Sequence, residues 1–186
     1  GHLGDNDVGG DEYYEYYEYL YNTNDWIVNR QKHYFILDYD NSTILRQTWY
    51  QYDYQGYNQN ATKGDITRKD EFLNLANNIT TTYVYNSFGN LINEINPNNQ
   101  NTTYVYGTRD ITNTFADKMI NAKNQTTNYY YDFGTGNLLA VLNFNNNATN
   151  YTYDVFSRIE KEILPFDSSA YPTKKYTYDF SVTPVK

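Results

Sequence analysis

Apolar and polar positions alternate along this chain in short runs. In Tyr83-Val84-Tyr85 and Tyr151-Thr152-Tyr153 the tyrosines stand two apart, which puts both rings on one face of a strand. The residue between them, often Val or Thr, faces the other way. An Asp or Asn follows and opens a turn by accepting backbone N–H groups ahead of it. A second apolar run then predicts a returning strand, as in Leu91-Ile92-Asn93-Glu94-Ile95 and Leu138-Leu139-Ala140-Val141-Leu142. A polar turn such as Asn96-Pro97-Asn98-Asn99-Gln100 leads to the next Tyr-x-Tyr. β-branched and aromatic residues favour strands throughout. Glu12 to Tyr19 carries no helical stripe and predicts a tyrosine-dense edge strand. Residues 64–77 predict either a short helix or the second strand of a hairpin.

The hairpin phrase recurs. Its paired tyrosines, the predicted repeat core, are Tyr19 and Tyr21, Tyr50 and Tyr52, Tyr83 and Tyr85, Tyr104 and Tyr106, Tyr129 and Tyr131, Tyr151 and Tyr153, and Tyr176 and Tyr178. Steps between the first tyrosines are 31, 33, 21, 25, 22 and 25 residues, a size that suits two short strands and two turns. The two long early steps predict an insertion or longer hairpins. The sequence therefore divides into an acidic joining segment (1–12), longer degenerate repeats (13–79), regular repeats (80–180) and a C-terminal joining segment (181–186), all within one array. Gly56 and Gly89 are expected to supply positive φ in their turns.

The phrase Tyr-x-Tyr-Asp-x-x-Gly-x-Leu resembles the Tyr-Asp (YD) repeat family, which includes Rhs proteins, teneurins and the shell subunits of toxin complexes. The resemblance covers roughly residues 13–180 and is strongest from 80 to 160. It departs from the pattern at Asn86, Gly107 and Ser157. The resemblance implies an all-β fold of tandem antiparallel hairpins forming a spiral or tubular sheet. No counterpart of the core sequence that precedes the variable toxin tip in Rhs shells is visible.

Composition narrows the function. The chain of 186 residues has 24 tyrosines but a mean hydropathy of −0.85, which tyrosine reconciles because its ring packs while its hydroxyl stays polar. A net charge of −8 without a basic stripe argues against nucleic acid. No apolar run is long enough for a membrane helix, and no cysteine is available for thiol chemistry or disulfides. The chain begins with Gly1, so it is expected to be processed or a piece of something longer. Asp5, Asp7 and Asp11 loosely suggest a calcium loop, but the full spacing and a closing Glu are missing, so neither metal nor another cofactor is expected. His2 and His33 are isolated, which disfavours a histidine triad or metal site. Glu160 and Glu162 share a strand face, and solvated charges explain them more cheaply than carboxylate-pair catalysis. No enzyme is expected. Exposed Tyr, Trp26 and Trp49 allow stacking on carbohydrate, and cross-strand pairing is the cheaper explanation.

Sequons begin at Asn41, Asn60, Asn78, Asn101, Asn124, Asn147 and Asn150. Four of them, from Asn78 to Asn147, recur every 23 residues just before a Tyr-x-Tyr, where turns are predicted. N-linked glycans there would require an exterior location. The first functional expectation is an extracellular, cell-surface structural protein: a glycoprotein subunit that self-assembles into a filament, tube or sheath by strand pairing between copies. The alternatives are a fragment of a larger YD-repeat shell that encapsulates a toxin or mediates adhesion, and a carbohydrate-binding module.

Overall fold

In this computed structural model, residues 12–74 and 77–181 are described. Every regular element among them is a strand: β1 (Tyr14–Asn22), β2 (Ile27–Leu37), β3 (Ile44–Tyr52), β4 (Ile66–Asn74), β5 (Asn77–Tyr85), β6 (Leu91–Ile95), β7 (Asn101–Tyr106), β8 (Ala116–Ile120), β9 (Thr126–Tyr131), β10 (Leu138–Leu142), β11 (Ala148–Tyr153), β12 (Ile159–Ile163) and β13 (Lys174–Lys175). The fold is all-β and built of tandem antiparallel hairpins. The chain divides into two compact units at Asn101/Thr102. In the first, β1 to β6 each pair antiparallel with the next. In the second, β7 to β13 do the same. Residues 66–74 are a strand, so the helix alternative for residues 64–77 is not adopted.

Strand length changes along the chain as the repeat spacing suggests. β1 to β5 are 9 to 11 residues long, whereas β6 to β12 are 5 or 6. The long early steps therefore contain both longer hairpins and an inserted loop at 53–65.

One turn design recurs. In Asn86 to Asn90, the Asn86 N–H donates to the Asn90 carbonyl and the Gly89 N–H donates back to the Asn86 carbonyl. The Asn86 Oδ1 accepts from the N–H groups of Phe88 and Asn90. Gly89 sits at φ 81°, and the strand pairing slips by one residue beside it, between Val84 and Tyr85. This combination of an Asx-stabilised turn and a bulge matches the twist of the flanking strands. Asn96, Asn121, Asn143 and Asp154 open the same turn. The left-handed residue there is Asn99, Asn124, Asn146 and Ser157 respectively. The turns β5–β6, β6–β7, β8–β9, β10–β11 and β11–β12 thus obey one rule, Asx-x-x-(Gly/Asn/Ser)-x. Asparagine tolerates the left-handed region better than other residues with a side chain, which explains its abundance.

Two predicted turns depart from expectation. Gly56 has no positive φ; the left-handed residues there are Asp53 and Tyr54. The inserted loop replaces the tight turn, so the glycine is not needed at its corner. In the decayed copy, Gly107 has φ 76° and the Asx turn is displaced to Asp110, with Asn113 left-handed.

Few side chains are fully covered. The buried apolar residues among those described are Leu20, Tyr52, Ala61 and Ile163. Leu20, Tyr52 and Ala61 form one cluster, against which Ile27, Tyr50 and Ile66 pack. Most strand side chains are half-buried, and the covered cluster forms where the loop at 53–65 brings Ala61 onto Leu20 and Tyr52.

Candidate functional site

The densest side-chain chemistry lies in the first unit, where the loop at 53–65 is fastened at three points. Its Asp53 carboxylate accepts from the N–H groups of Thr62, Lys63, Gly64 and Asp65 at 2.7 to 3.0 Å. Burial would push this carboxyl up, but those four amides outweigh it and hold it below the usual aspartate value. Ala61 is fully buried, and its carbonyl accepts from Asn22 Nδ2 at 2.8 Å. Tyr57 donates its hydroxyl to Asp70.

Asp70 on β4 is itself fully buried. It accepts from Arg68 Nε at 2.7 Å, Arg68 Nη2 at 3.0 Å and Thr80 Oγ1 at 2.5 Å. Thr80 is its direct partner on β5 and Trp49 its direct partner on β3. Strand alternation explains the Arg68 contact, since residues two apart share a face. Burial opposes ionisation of Asp70, and the Arg68, Thr80 and Tyr57 hydrogen bonds outweigh it, so its carboxyl lies below the ordinary value. A carboxylate so fully satisfied is a structural anchor rather than a free base.

An aromatic row continues from Tyr57. Its ring meets Trp49 edge-on at 5.5 Å. Trp49 stacks on His33 at 3.7 Å, His33 on Phe35 at 4.6 Å, and Phe35 on Tyr16 at 5.0 Å. Gln47 Oε1 accepts from Trp49 Nε1 at 3.2 Å and lies 3.1 Å from His33 Nε2. Glu18 lies 3.5 Å from His33 Nδ1 and pairs with Lys32. Burial of His33 is the largest influence on it and lowers its pKa despite Glu18 and Gln47. His33 is therefore a buried strand residue stacked between rings. Trp49 is covered by His33 and Tyr57, whereas Trp26 stands in a turn, 85% exposed at φ 55°, so the two tryptophans do not cover one another.

In the middle of the chain the paired tyrosines are covered to differing degrees. Tyr50, Tyr83, Tyr85, Tyr104, Tyr106, Tyr129, Tyr131, Tyr151 and Tyr153 are half-buried, and Tyr52 is buried. Tyr19 and Tyr21 are corrections. Both are exposed, and their neighbours Leu20 and Asn22 face inward instead. Asn22 still opens the turn, its Oδ1 accepting from the N–H groups of Asn24 and Asp25, but the pairing of β1 with β2 slips between Glu18 and Tyr19, and Leu20 takes the covered face. Tyr176 and Tyr178 are also exposed and lie beyond the last strand. Tyr176 nevertheless donates its N–H to the Glu160 carbonyl, and Tyr178 its hydroxyl to the Ile159 carbonyl at 2.8 Å.

Placement of the sequons is mixed. Asn41 and Asn124 occupy left-handed turn positions, and Asn60 lies in the inserted loop. Asn147 closes the Asn143 turn, half-buried. Asn78 lies inside β5, Asn101 begins β7 and Asn150 lies within β11, all exposed. The constant 23-residue spacing thus drifts from strand to turn, because hairpin lengths vary while the spacing does not. Asp5, Asp7 and Asp11 lie outside the described residues. Among the described residues no cluster of three or more His, Cys, Asp or Glu side chains could hold a metal. Glu162 pairs with Lys174 at 2.7 Å and Glu160 lies 3.5 Å from Thr152 Oγ1, so each has its own partner. No described helix is long and apolar enough to cross a membrane.

The fold is that of known proteins. The structure of TcdB2-TccC3-Cdc42 matches 91% of this chain with a TM-score of 0.59 at 12% identity. TcdB2-TccC3 matches 82% with a TM-score of 0.58 at 11% identity, and TcdB2-TccC3-TEV 81% with 0.55 at 13%. The chain spans only 12%, 11% and 10% of the respective matched chains. No family model matches the sequence, and no curated protein does.

Proposed function

We propose that this chain is part of the wall of a larger YD-repeat shell that encloses a protein cargo such as a toxin. The observation that carries the reading is the likeness over 91% of this chain to about an eighth of a much longer one. The small apolar core supports it. A sheet with four buried apolar side chains among its described residues has little hydrophobic stabilisation of its own. A long array supplies the missing stability by stacking each hairpin on the next. The role is structural and non-catalytic, in an extracellular setting, with the ladder as the working part. The spiral or tubular course, the glycans at the seven sequons and the absence of calcium belong to the same proposal.

A second reading, the subunit of a surface filament assembled from copies of itself, is favoured by the outer edge of β1. That strand pairs with β2 and, among the described residues, with nothing else. Unpaired edges accept strands from other chains. Electron cryomicroscopy of the natural, full-length gene product separates the two. Discrete hollow particles walled by consecutive hairpins are expected, and filaments repeating at the mass of this chain would overturn the shell in favour of the polymer. A compact monomer presenting its aromatic row to bound sugar would support the third alternative.

A further inference from the structure

Tyr17 on β1 and Tyr34 on β2 are direct cross-strand partners. Their ring centroids are 4.9 Å apart, with the planes inclined by 37°. Both hydroxyls donate to one carboxylate: Tyr17 to Glu15 Oε2 at 2.9 Å, and Tyr34 to Glu15 Oε1 at 3.2 Å. The shared acceptor turns the two phenols toward each other. Tyr17 is half exposed and Glu15 is exposed, so a small oxidant in solution can reach the pair. The contact also stands on the free side of the sheet, where β1 has a partner on one edge only among the described residues.

We propose that Tyr17 and Tyr34 form an oxidative cross-linking site that fastens the edge strand to its neighbour as a dityrosine. The co-reactant is a peroxide acting through a one-electron oxidant. Each phenol gives one electron to the oxidant and its hydroxyl proton to the hydrogen-bonded Glu15 oxygen. The carboxylate passes each proton to water before accepting the next. The two phenoxyl radicals join through ring carbons ortho to the oxygens, forming one C–C bond. The hydrogens on those two carbons then move to the oxygens, restoring both aromatic rings. In total two electrons and two protons leave the chain, and the peroxide becomes two waters. The hydrogen bond to a carboxylate makes loss of the phenol proton concerted with loss of the electron; Tyr57 shares that feature through Asp70, but its ring meets Trp49, whereas Tyr17 and Tyr34 bring two such phenols into contact.

The test is to treat the chain, dilute enough to suppress coupling between molecules, with hydrogen peroxide and a haem peroxidase. Peptide mapping by mass spectrometry then locates dityrosine. A Tyr17–Tyr34 cross-linked peptide, lighter by two hydrogens, is expected as the main intramolecular product. Y34F is expected to lose it while keeping the parent circular dichroism spectrum. E15Q is expected to lower its yield severalfold at equal peroxide, and an unchanged yield would overturn the role of Glu15. Dityrosine spread evenly over other tyrosines, or absent from Tyr17 and Tyr34, overturns the proposal.

Discussion

The Tyr153 hydroxyl donates to the backbone carbonyl of Leu138 at 2.8 Å, on the strand before its own. Tyr178 reaches the Ile159 carbonyl at 2.8 Å, and Tyr52 reaches the Gln31 carbonyl at 2.7 Å. Pairing slips beside each of the first two acceptors, between Leu138 and Ala140 on β10 and between Thr152 and Tyr153 on β11, where the partners jump from Lys161 to Ile159. A slipped ladder leaves backbone groups short of partners, and the second tyrosine of the repeat supplies one. In these three copies the position thus needs Tyr rather than Phe. Y153F is expected to lower stability by about 1 kcal/mol, the net worth of one such bond. Urea denaturation of the parent and Y153F checks it, with Y151F as a comparison lacking that carbonyl contact.

Asp70 organises the inserted loop. D70A leaves Arg68 and Tyr57 without their acceptor in a covered site. The loss is expected to be about 2–3 kcal/mol, below the roughly 3–5 of a fully buried pair because 41% of the Arg68 side chain is exposed. Hydrogen exchange should show the 53–65 backbone opening first, and the parent level of protection there in D70A would refute the assignment.

Stability should fall on acidification in two stages. His33 has a lowered pKa in the fold, chiefly through burial, so protonation favours the unfolded chain. Its contribution is complete above about pH 6.5, the unfolded value, and erodes as pH falls through the depressed folded value. Asp53 and Asp70 are also depressed, so their contributions are complete above about pH 3.9 and disappear below it. Thermal melts from pH 8 to pH 3 are expected to decline gently and then steeply. H33F should remove the first stage and leave the second.

Turn chemistry can be improved. Trp26 holds the left-handed position that Gly136 holds in the Asp132 turn, and it is 85% exposed. A side chain there costs about 1–2 kcal/mol, and the greater freedom of unfolded glycine returns part of that. W26G is therefore expected to raise stability by up to about 1 kcal/mol. G89V, which puts a β-branched residue at φ 81°, should lower it by more than that.

Arg158 ties the last described segment to the turn before it. Its guanidinium pairs with Asp154 at 2.5 Å and lies over the rings of Phe156, Tyr178 and Phe180 at 5.2, 4.2 and 4.7 Å. R158A should speed exchange of the Tyr176 amide, which donates to Glu160, while amides in β10 keep their rates.

The all-β fold and the antiparallel pairing of successive hairpins were legible in the sequence. A period of two and an Asx residue after each Tyr-x-Tyr are local facts, and local hydrogen bonds decide them. The same pattern at Asp110 and Asn113 was equally readable, three residues beyond where the decayed copy pointed. Which tyrosines face inward was not fixed by the local phrase. Asn22 follows Tyr21 as Asn86 follows Tyr85, yet Tyr19 and Tyr21 face outward, beside a slip in the β1–β2 pairing, and a one-residue shift sends every side chain of a strand to the opposite side. The loop at 53–65, the burial of Asp70 and the stacking of His33 on Trp49 depended on tertiary structure. The contacts that fasten the loop to the strands reach across 13 residues from Tyr57 to Asp70 and 39 from Asn22 to Ala61. The shared carboxylate of Tyr17 and Tyr34 belongs with them, since only the register of β1 against β2 brings the two rings together. Sequence alone determined a hairpin array because turns and alternation are written in neighbouring residues. Tertiary structure decided the contacts, because register and loop packing join residues that no local pattern links.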